Sequence, residues 1–192
     1  MKKEFGKYSS SELFKAMRNK KSDAEGAFAE LYSRYSQRVF AYCLRITGNP
    51  DDSRDIFQET FLKFYSFAQG KRKVDNVGAY ILTIARNLCF NYKTRNKANF
   101  RFEDYLVPTN DEQYEDRELR EVLANAIELL ELDYREAFVL RQYQGLSYQE
   151  MEEITGENTS TLKNRVWRAK EKLRNILAPY MSEINNYNAK TI

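Results

Sequence analysis

Apolar residues recur every three or four positions along almost the whole chain, which is the spacing of one buried face of an α-helix. The clearest stretch contains Phe28, Leu31, Tyr35, Val39 and Tyr42. Only seven glycines and three prolines occur in 192 residues, so the chain has few positions suited to the tight turns of a sheet-rich fold. We therefore predict an all-α fold.

Capping signals indicate where these helices begin and end. Capping boxes, in which Glu follows three residues after the cap, are predicted at Ser9, Asp133 and Ser147. Asn49 is predicted to cap another helix, whose first residue is a proline. The last long helix is expected to stop before Pro179, since proline lacks the amide that continues a helix.

The helical spacing is interrupted between residues 98 and 114, a stretch that contains Pro108. An acidic run begins here, because residues 103–121 hold eight acids and two bases. Such composition indicates a flexible linker. The predicted organisation is a helical domain at 1–97, an acidic linker at 98–114, a second small helical domain at 115–180 and a C-terminal tail at 181–192.

Histidine is absent from the sequence, which excludes Ser-His-Asp and Cys-His catalysis and removes the commonest metal ligand. Cys43 and Cys89 lie among apolar neighbours, so we expect reduced and buried thiols. No glycine-rich phosphate loop is present. We predict that the chain is not an enzyme and has no catalytic residue, no cofactor and no metal site.

The longest apolar run covers only residues 39–44, whereas a membrane-spanning helix needs roughly 20 apolar residues. The N-terminal residues are charged and polar and do not lead into an apolar signal core. We therefore expect a cytoplasmic protein without membrane insertion.

The net charge of +3 conceals strong segregation of charge along the chain. Residues 84–102 contain five bases and no acid, and residues 161–175 contain six bases and one acid. Two separate basic patches favour a polyanionic partner that is contacted at two places. For either patch alone, a solvated helix face is an equally good interpretation.

Two helices joined by a turn at Gly156 form a candidate helix-turn-helix at residues 147–170. In such a motif the outer face of the second helix enters the major groove of DNA. That face combines groups that read bases with groups that bind phosphates, namely Ser160, Thr161, Lys163, Asn164, Trp167 and Arg168. The pattern favours binding to duplex DNA, and a plain helical hairpin is the alternative.

Three carboxylates, Asp52, Asp55 and Glu59, fall on one stripe of the predicted third helix. Like charges at this spacing repel by a few tenths of a kcal/mol per pair, and a basic partner surface would relieve that repulsion. The favourable position of acids near a helix N-terminus is the alternative, and it explains Asp52 better than Glu59. A hydrolytic or metal-binding role is disfavoured, since no base, nucleophile or phosphate cradle accompanies them.

The predicted fourth helix mixes aromatic, amide and cationic residues and follows a basic loop at 71–73. Single-stranded DNA is bound by such mixtures, because rings stack on exposed bases while cations contact phosphates. The residues concerned are Tyr80, Arg86, Asn87, Tyr92, Lys93 and Arg95. A core position for Tyr80 is the competing interpretation.

Several sequence blocks resemble the extracytoplasmic-function (ECF) sigma factors of bacterial RNA polymerase, and they occur in that family's order over residues 25–177. The blocks that resemble region 2 are FAELY at 28–32, LRITGNPDD at 44–52, DIFQETF at 55–61 and IARNL at 84–88. Those that resemble region 4 are FVLR at 138–141, GLSYQE at 145–150 and TLKNRVWRAK at 161–170.

The resemblance implies roles for particular residues. Docking on the clamp helices of core RNA polymerase would involve Asp52, Asp55, Ile56, Gln58 and Glu59. Opening of the minus-ten promoter element and capture of a flipped base would involve Lys71, Arg72, Lys73, Asn76, Tyr80, Arg86 and Asn87. Recognition of the duplex minus-thirty-five element would involve Arg141, Ser160, Thr161, Lys163, Asn164, Trp167 and Arg168.

The resemblance further implies that the acidic linker threads towards the RNA exit path, that the flap of the polymerase is a second contact, and that an anti-sigma factor is a possible partner. Glu152 departs from the family, which usually has Ala there, so either its long side chain points to solvent or the crossing of the two motif helices widens. The leading hypothesis is a sigma factor. A stand-alone helix-turn-helix regulator and a protein-binding module such as an anti-sigma factor are the alternatives.

Overall fold

The computed structural model describes residues 4–70, 73–95 and 114–190. Within those ranges the secondary structure is helical and contains no strand. The helices are α1 (Ser10–Ala16), α2 (Lys21–Thr47), α3 (Pro50–Ala68), α4 (Val77–Arg95), α5 (Tyr114–Glu128), α6 (Leu132–Phe138), α7 (Tyr148–Thr155) and α8 (Thr159–Lys190). The all-α prediction is confirmed. Most of the predicted linker, up to residue 113, lies outside the described residues.

The helices form two compact units. In the N-terminal unit, α2, α3 and α4 pack against one another, and α1 packs on α2 and α4. Its fully buried side chains include Leu13, Phe14, Met17, Leu31, Tyr42, Ile46, Phe64 and Ile81. Cys43 and Cys89 are also buried and free of a disulfide, as the sequence predicts.

The corner between α2 and α3 is set by local hydrogen bonds. Gly48 ends α2 with a left-handed backbone at φ 73°, a conformation that glycine adopts without steric cost. The Asn49 side-chain oxygen then accepts hydrogen bonds from the amides of Asp51 and Asp52, at 2.9 and 3.0 Å. The predicted cap is therefore present, and it fixes the direction in which α3 leaves the corner.

Replacing Asn49 by Ala is expected to lower the free energy of unfolding by about 1 kcal/mol, because two amides of the first turn lose their acceptor. Urea unfolding followed by circular dichroism measures the loss. Asn49→Ser is the matched control, since serine restores a side-chain acceptor. Equal stability of Asn49→Ala and the unmodified chain would contradict the role of this cap.

In the C-terminal unit, α6 and α5 pack against α8. The inner face of α8 carries Leu162, Val166 and Ala169, which are 1%, 3% and 0% exposed. These are the inward residues that the helix-turn-helix pattern predicts. A π-helical turn, Val139–Tyr143, continues α6, and Gly145 follows with a φ of 66°.

Two boundary predictions are wrong. Asp133 does not cap α6, which begins one residue earlier, and its carboxylate instead lies 3.4 Å from Arg165 of α8. Helix α8 continues through Pro179 to Lys190. Proline removes one hydrogen bond to the carbonyl four residues earlier, and Asn175 is exposed, so water can hydrate that carbonyl.

Candidate protein and nucleic-acid interfaces

The outward face of α3 is the first candidate interface. Asp55, Gln58 and Glu59 are exposed, and their spacing places them on one side of the helix. Leu62 lies on the same side, one turn further along, with 68% of its surface exposed. We call these four residues the α3 face.

Two other residues predicted for this interface point inward. Ile56 is only 7% exposed and belongs to the core. Asp52 is half-buried, and its carboxylate accepts a hydrogen bond from the Tyr92 hydroxyl, which ties α3 to α4. Both residues therefore hold the helix in position, and the exposed surface is formed by their neighbours.

Leu62 was not identified from the sequence, although its position gave a signal. It follows Glu59 by three residues, so it falls on the polar stripe and not on the buried face of α3. An exposed apolar side chain surrounded by polar groups is typical of the centre of a protein–protein contact. The α3 face thus has an apolar centre and a polar, mainly acidic rim.

The exposed carboxylate of Glu59 forms a weak ion pair within α3. Lys63 lies 3.3 Å from it, and both side chains are about half exposed, at 54% and 52% for lysine and glutamate. Such exposed pairs contribute typically ~0.2–1 kcal/mol. Glu59 can therefore exchange this partner for another cation at small cost.

The second candidate interface is the surface of α4 and the segment before it. Lys73 and Asn87 are exposed, whereas Lys71 and Arg72 lie outside the described residues. Asn76 is exposed, and its side-chain oxygen accepts a hydrogen bond from the Ala79 amide at 3.1 Å, so it caps α4.

Two residues of this surface, Tyr80 and Arg86, are paired with neighbouring rings. The half-buried Tyr80 ring stacks on Phe67 with centroids 4.4 Å apart. The Arg86 guanidinium lies 4.4 Å from the centroid of the Phe90 ring. Tyr80 thus lies at the edge of the core. Its position is intermediate between the two alternatives that the sequence left open, a DNA-facing surface and the core.

The outer face of α8 is the third candidate interface. The exposed side chains are Ser160, Lys163, Asn164, Trp167 and Arg168, while Thr161 is half-buried. Asn158 caps the helix by accepting from the Thr161 amide at 2.8 Å, and it also accepts from the Ser160 hydroxyl at 2.6 Å. Trp167 is 53% exposed.

The six bases of residues 161–175 fall into two groups. On the side of α8 that faces α6, Arg165 lies 3.4 Å from Asp133 and 3.2 Å from Glu157, and Lys172 lies 3.0 Å from Glu131. These two cations are neutralised within the unit. Within residues 161–175, the exposed cations are Lys163, Arg168, Lys170 and Arg174.

On the side of α8 that faces α7, cations surround a tyrosine. The Tyr148 ring centroid lies 5.0 Å from the Arg141 guanidinium and 5.6 Å from the Lys163 amino group. Arg141 also donates a hydrogen bond to the Leu146 carbonyl at 2.5 Å. The sequence identified both cations but not the tyrosine between them.

The start of the first motif helix, α7, follows the predicted pattern. The Ser147 amide donates to the Glu150 carboxylate at 2.7 Å, and the Glu150 amide donates to the Ser147 hydroxyl at 3.2 Å, which completes a capping box. The Glu152 side chain is exposed, as expected for a long residue at this position.

The described residues provide neither a membrane-spanning helix nor a cluster of metal ligands. Among residues 4–70, 73–95 and 114–190, no helix combines the length and the hydrophobicity that crossing a bilayer requires. The described part of the chain also contains no group of three or more His, Cys, Asp or Glu residues arranged to hold a metal ion.

Two family models match the chain, one to each unit. Sigma-70 region 2 matches residues 31–99, and Sigma-70 region 4 matches residues 120–173. The ECF RNA polymerase sigma factor SigE of Mycolicibacterium smegmatis is 33% identical over 163 residues, which are 80% of this chain and 63% of SigE. The ECF RNA polymerase sigma-E factor of Haemophilus influenzae is 29% identical over 81% of this chain and 89% of that protein.

Solved structures share the fold at lower identity. The sigma factor RpoE of Bartonella quintana, in complex with the anti-sigma factor NepR, gives a TM-score of 0.68 at 22% identity and covers 79% of this chain and 96% of its own. CnrH in complex with the cytosolic domain of CnrY gives a TM-score of 0.66 at 21% identity and covers 89% of this chain and 99% of its own.

Proposed function

Because this chain belongs to the ECF group of RNA polymerase sigma factors, we propose that its two helical units divide promoter recognition between them. The N-terminal unit binds core polymerase and opens the minus-ten element, and the C-terminal unit binds the duplex minus-thirty-five element. The chain has no chemistry of its own in this proposal, since polymerase synthesises the RNA. A cytoplasmic location, where the polymerase acts, belongs to the same proposal.

The α3 face is the proposed contact with the clamp helices of core polymerase. Its acidic rim suits a basic partner surface, and Leu62 supplies apolar area that a partner would bury at roughly 25 cal/mol per Å². Asp52 and Ile56 support this face from behind. The flap of the polymerase is the proposed contact of the C-terminal unit.

The surface of α4 is the proposed site of strand opening. A base that leaves the duplex costs a few kcal/mol of stacking and pairing, so the protein must offer new contacts. Tyr80 and Asn87 supply a ring edge and an amide, and Arg86 and Lys73 supply positive charge. Lys71, Arg72 and Asn76 complete the residues that the family resemblance assigns to this step.

The outer face of α8 is the proposed reader of the minus-thirty-five element. Asn164 presents an amide and Trp167 an apolar ring, and such groups contact base edges and thymine methyl groups. Lys163 and Arg168, with Arg141 beside them, supply the positive charge that phosphates require. Ser160 and Thr161 lie at the start of the helix, where they border the groove.

One observation carries the proposal: the exposed, mainly acidic α3 face with its apolar Leu62 and the exposed, basic outer face of α8 lie on different units of one chain. Two weak contacts on a tether bind tightly only where both can form at once. Core polymerase supplies that geometry, so the free chain binds promoter DNA weakly. The resemblance also implies an anti-sigma factor that would cover these faces, and this partner stays a prediction.

Transcription by purified core polymerase on a pool of random promoter sequences tests the proposed function. We expect the chain to direct initiation at templates that share two short elements at a fixed spacing. Initiation that is identical with and without the chain would overturn the proposal. Gel-shift assays test the stand-alone regulator, which predicts tight and salt-sensitive duplex binding in the absence of polymerase.

A further inference from the structure

Tyr148 lies between two cations that come from different elements, with Arg141 in the π-helical turn and Lys163 on α8. We propose that Tyr148 is a positioning residue, which fixes these cations as a clamp for the phosphates of one DNA strand beside the recognition helix. This inference rests on the proposed function of the C-terminal unit. We call the three residues the phosphate clamp.

Local structure fixes the ring and one of the cations. The Gln144 amide donates to the Val139 carbonyl at 3.0 Å, a five-residue spacing that is typical of π-helical turns and common at functional sites. Arg141 lies within this turn and is anchored to the Leu146 carbonyl. Because the Ser147 capping box fixes the start of α7, Tyr148 leaves the backbone at a defined position.

The ring face is a suitable support for both cations. A cation within about 6 Å of an aromatic centroid gains ~0.5–1 kcal/mol at exposed sites, which restricts the cation without neutralising its charge. Within the described residues, no ion pair involves Arg141 or Lys163. Their positive charge is therefore available to an anionic group, and duplex DNA beside α8 presents phosphates.

The other side of α8 offers less available positive charge, which makes the clamp one-sided. There Arg165 and Lys172 have carboxylate partners in Asp133, Glu157 and Glu131, and Arg168, which lies between them in the chain, is the exposed cation of that side. A phosphate strand on that side would meet acids as well as bases. We infer that the recognition helix holds one of the two strands that border the major groove more strongly than the other.

The test is promoter binding and initiation by holoenzyme reconstituted from full-length variants, over a range of salt concentrations. Tyr148→Leu removes the ring and is expected to weaken promoter binding about five-fold at fixed salt. The logarithm of the promoter-binding constant falls linearly with the logarithm of the salt concentration, and we call the steepness of this line the salt slope. Tyr148→Leu should also reduce the salt slope by about 0.9 for each phosphate that the variant no longer neutralises. Tyr148→Phe keeps the ring and should behave as the unmodified chain.

The structure offers a matched control on the opposite side of α8. The Lys172 amino group lies 5.3 Å from the Tyr134 ring centroid, so Tyr134→Leu removes a similar cation–ring pair outside the clamp. We expect this variant to leave the salt slope unchanged. Lys163→Gln should reduce the salt slope. Tyr148→Leu should cause little further reduction when it is combined with Lys163→Gln, because both changes remove the same interaction.

Separate outcomes distinguish the failure of each idea. If the unmodified chain directs no initiation, the proposed function fails and the clamp fails with it. If that chain is active and Tyr148→Leu keeps its full salt slope, the clamp alone is wrong, whatever the variant does to thermal stability. Equal losses in Tyr148→Phe and Tyr148→Leu would assign the effect to the hydroxyl group and overturn the positioning role.

Neutral methylphosphonate linkages test the one-sided arrangement. Substitution at phosphates of one strand of the minus-thirty-five element should weaken binding and remove the effect of Lys163→Gln. Substitution at the facing phosphates of the other strand should leave binding unchanged and should preserve the effect of Lys163→Gln. Equal effects from both strands would overturn the inference that one strand is held more strongly.

Discussion

Replacing Asp55 and Glu59 together by lysine is expected to abolish binding of core RNA polymerase, with a loss of affinity of more than ~100-fold. The proposed partner surface is basic, so two attractive charges in the rim of the α3 face become two repulsive ones. Like charges placed together at an interface cost several kcal/mol. A fluorescence titration of labelled sigma factor with core enzyme measures the affinity.

The same change should leave the fold intact, because neither side chain contributes to the core. Both residues are exposed, and the ion pair of Glu59 with Lys63 at 3.3 Å is solvent-accessible. A lysine at position 59 would repel Lys63 by only a few tenths of a kcal/mol. The circular dichroism spectrum and the unfolding midpoint should therefore stay close to those of the unmodified chain.

Glu25→Lys provides the matched control for charge reversal. Glu25 lies on α2, outside the α3 face, and forms an exposed pair with Lys21 at the same four-residue spacing. We expect this variant to bind core polymerase with unchanged affinity. If it binds as poorly as the double variant, total charge and not the α3 face determines the affinity.

Leu62→Ala tests the apolar centre of the same face without changing any charge. We expect roughly ten-fold weaker core binding, which corresponds to about 1.4 kcal/mol, because an exposed leucine becomes buried on docking. Folding stability should be unchanged, since 68% of the side chain is already in water. Unaltered core affinity would remove Leu62 from the contact.

The helices could be predicted where short-range chemistry determines them. Asn49 and Ser147 cap their helices through amides two or three residues away, so neighbours in sequence were sufficient. Asp133 shows the same local pattern, yet its carboxylate pairs with Arg165 from another helix. Sequence spacing does not contain that long-range contact, and for this reason the prediction failed there.

The candidate interfaces could be predicted less completely, for two physical reasons. Ile56 is adjacent to Asp55 in sequence, but a rotation of about 100° per residue places it in the core. Leu62 was missed because the stripe on this helix was defined by its carboxylates alone. Tyr148 was missed because its role depends on Arg141 and Lys163, which only the folded chain brings to its ring.

The buried guanidinium of Arg135 carries the largest expected effect on stability. Arg135 is 5% exposed and donates hydrogen bonds to the carbonyls of Glu128 and Leu130, the second at 3.2 Å. These carbonyls lie at the end of α5 and in the corner before α6, where a helix leaves acceptors without amide partners. Arg135 therefore connects the end of one helix to the body of the next.

The charge of Arg135 persists despite its burial. Desolvation lowers the pKa of its guanidinium, and the nearby charge of Glu128 partly offsets this by raising the pKa. The ordinary pKa of arginine is so high that its side chain stays protonated in proteins. The group thus remains a charged donor, and hydrogen bonds from charged donors are worth about twice those between neutral groups.

Arg135→Ala is expected to lower the free energy of unfolding of the C-terminal unit by about 3–5 kcal/mol, because two carbonyls lose a charged donor and a cavity remains. Urea unfolding followed by circular dichroism and by the fluorescence of Trp167, the single tryptophan, measures this loss. Arg174→Ala, which removes an exposed arginine of the same unit, should change stability by less than ~0.5 kcal/mol.

Arg135→Lys separates charge from geometry at this position. Lysine keeps the positive charge but offers a compact ammonium in place of the planar fork that reaches two acceptors, so we expect an intermediate loss of stability. Full stability of Arg135→Lys would mean that charge alone is required. A loss below about 1 kcal/mol in Arg135→Ala would show that the end of α5 is held by its apolar contacts instead, since loss of a buried charged donor costs more than this.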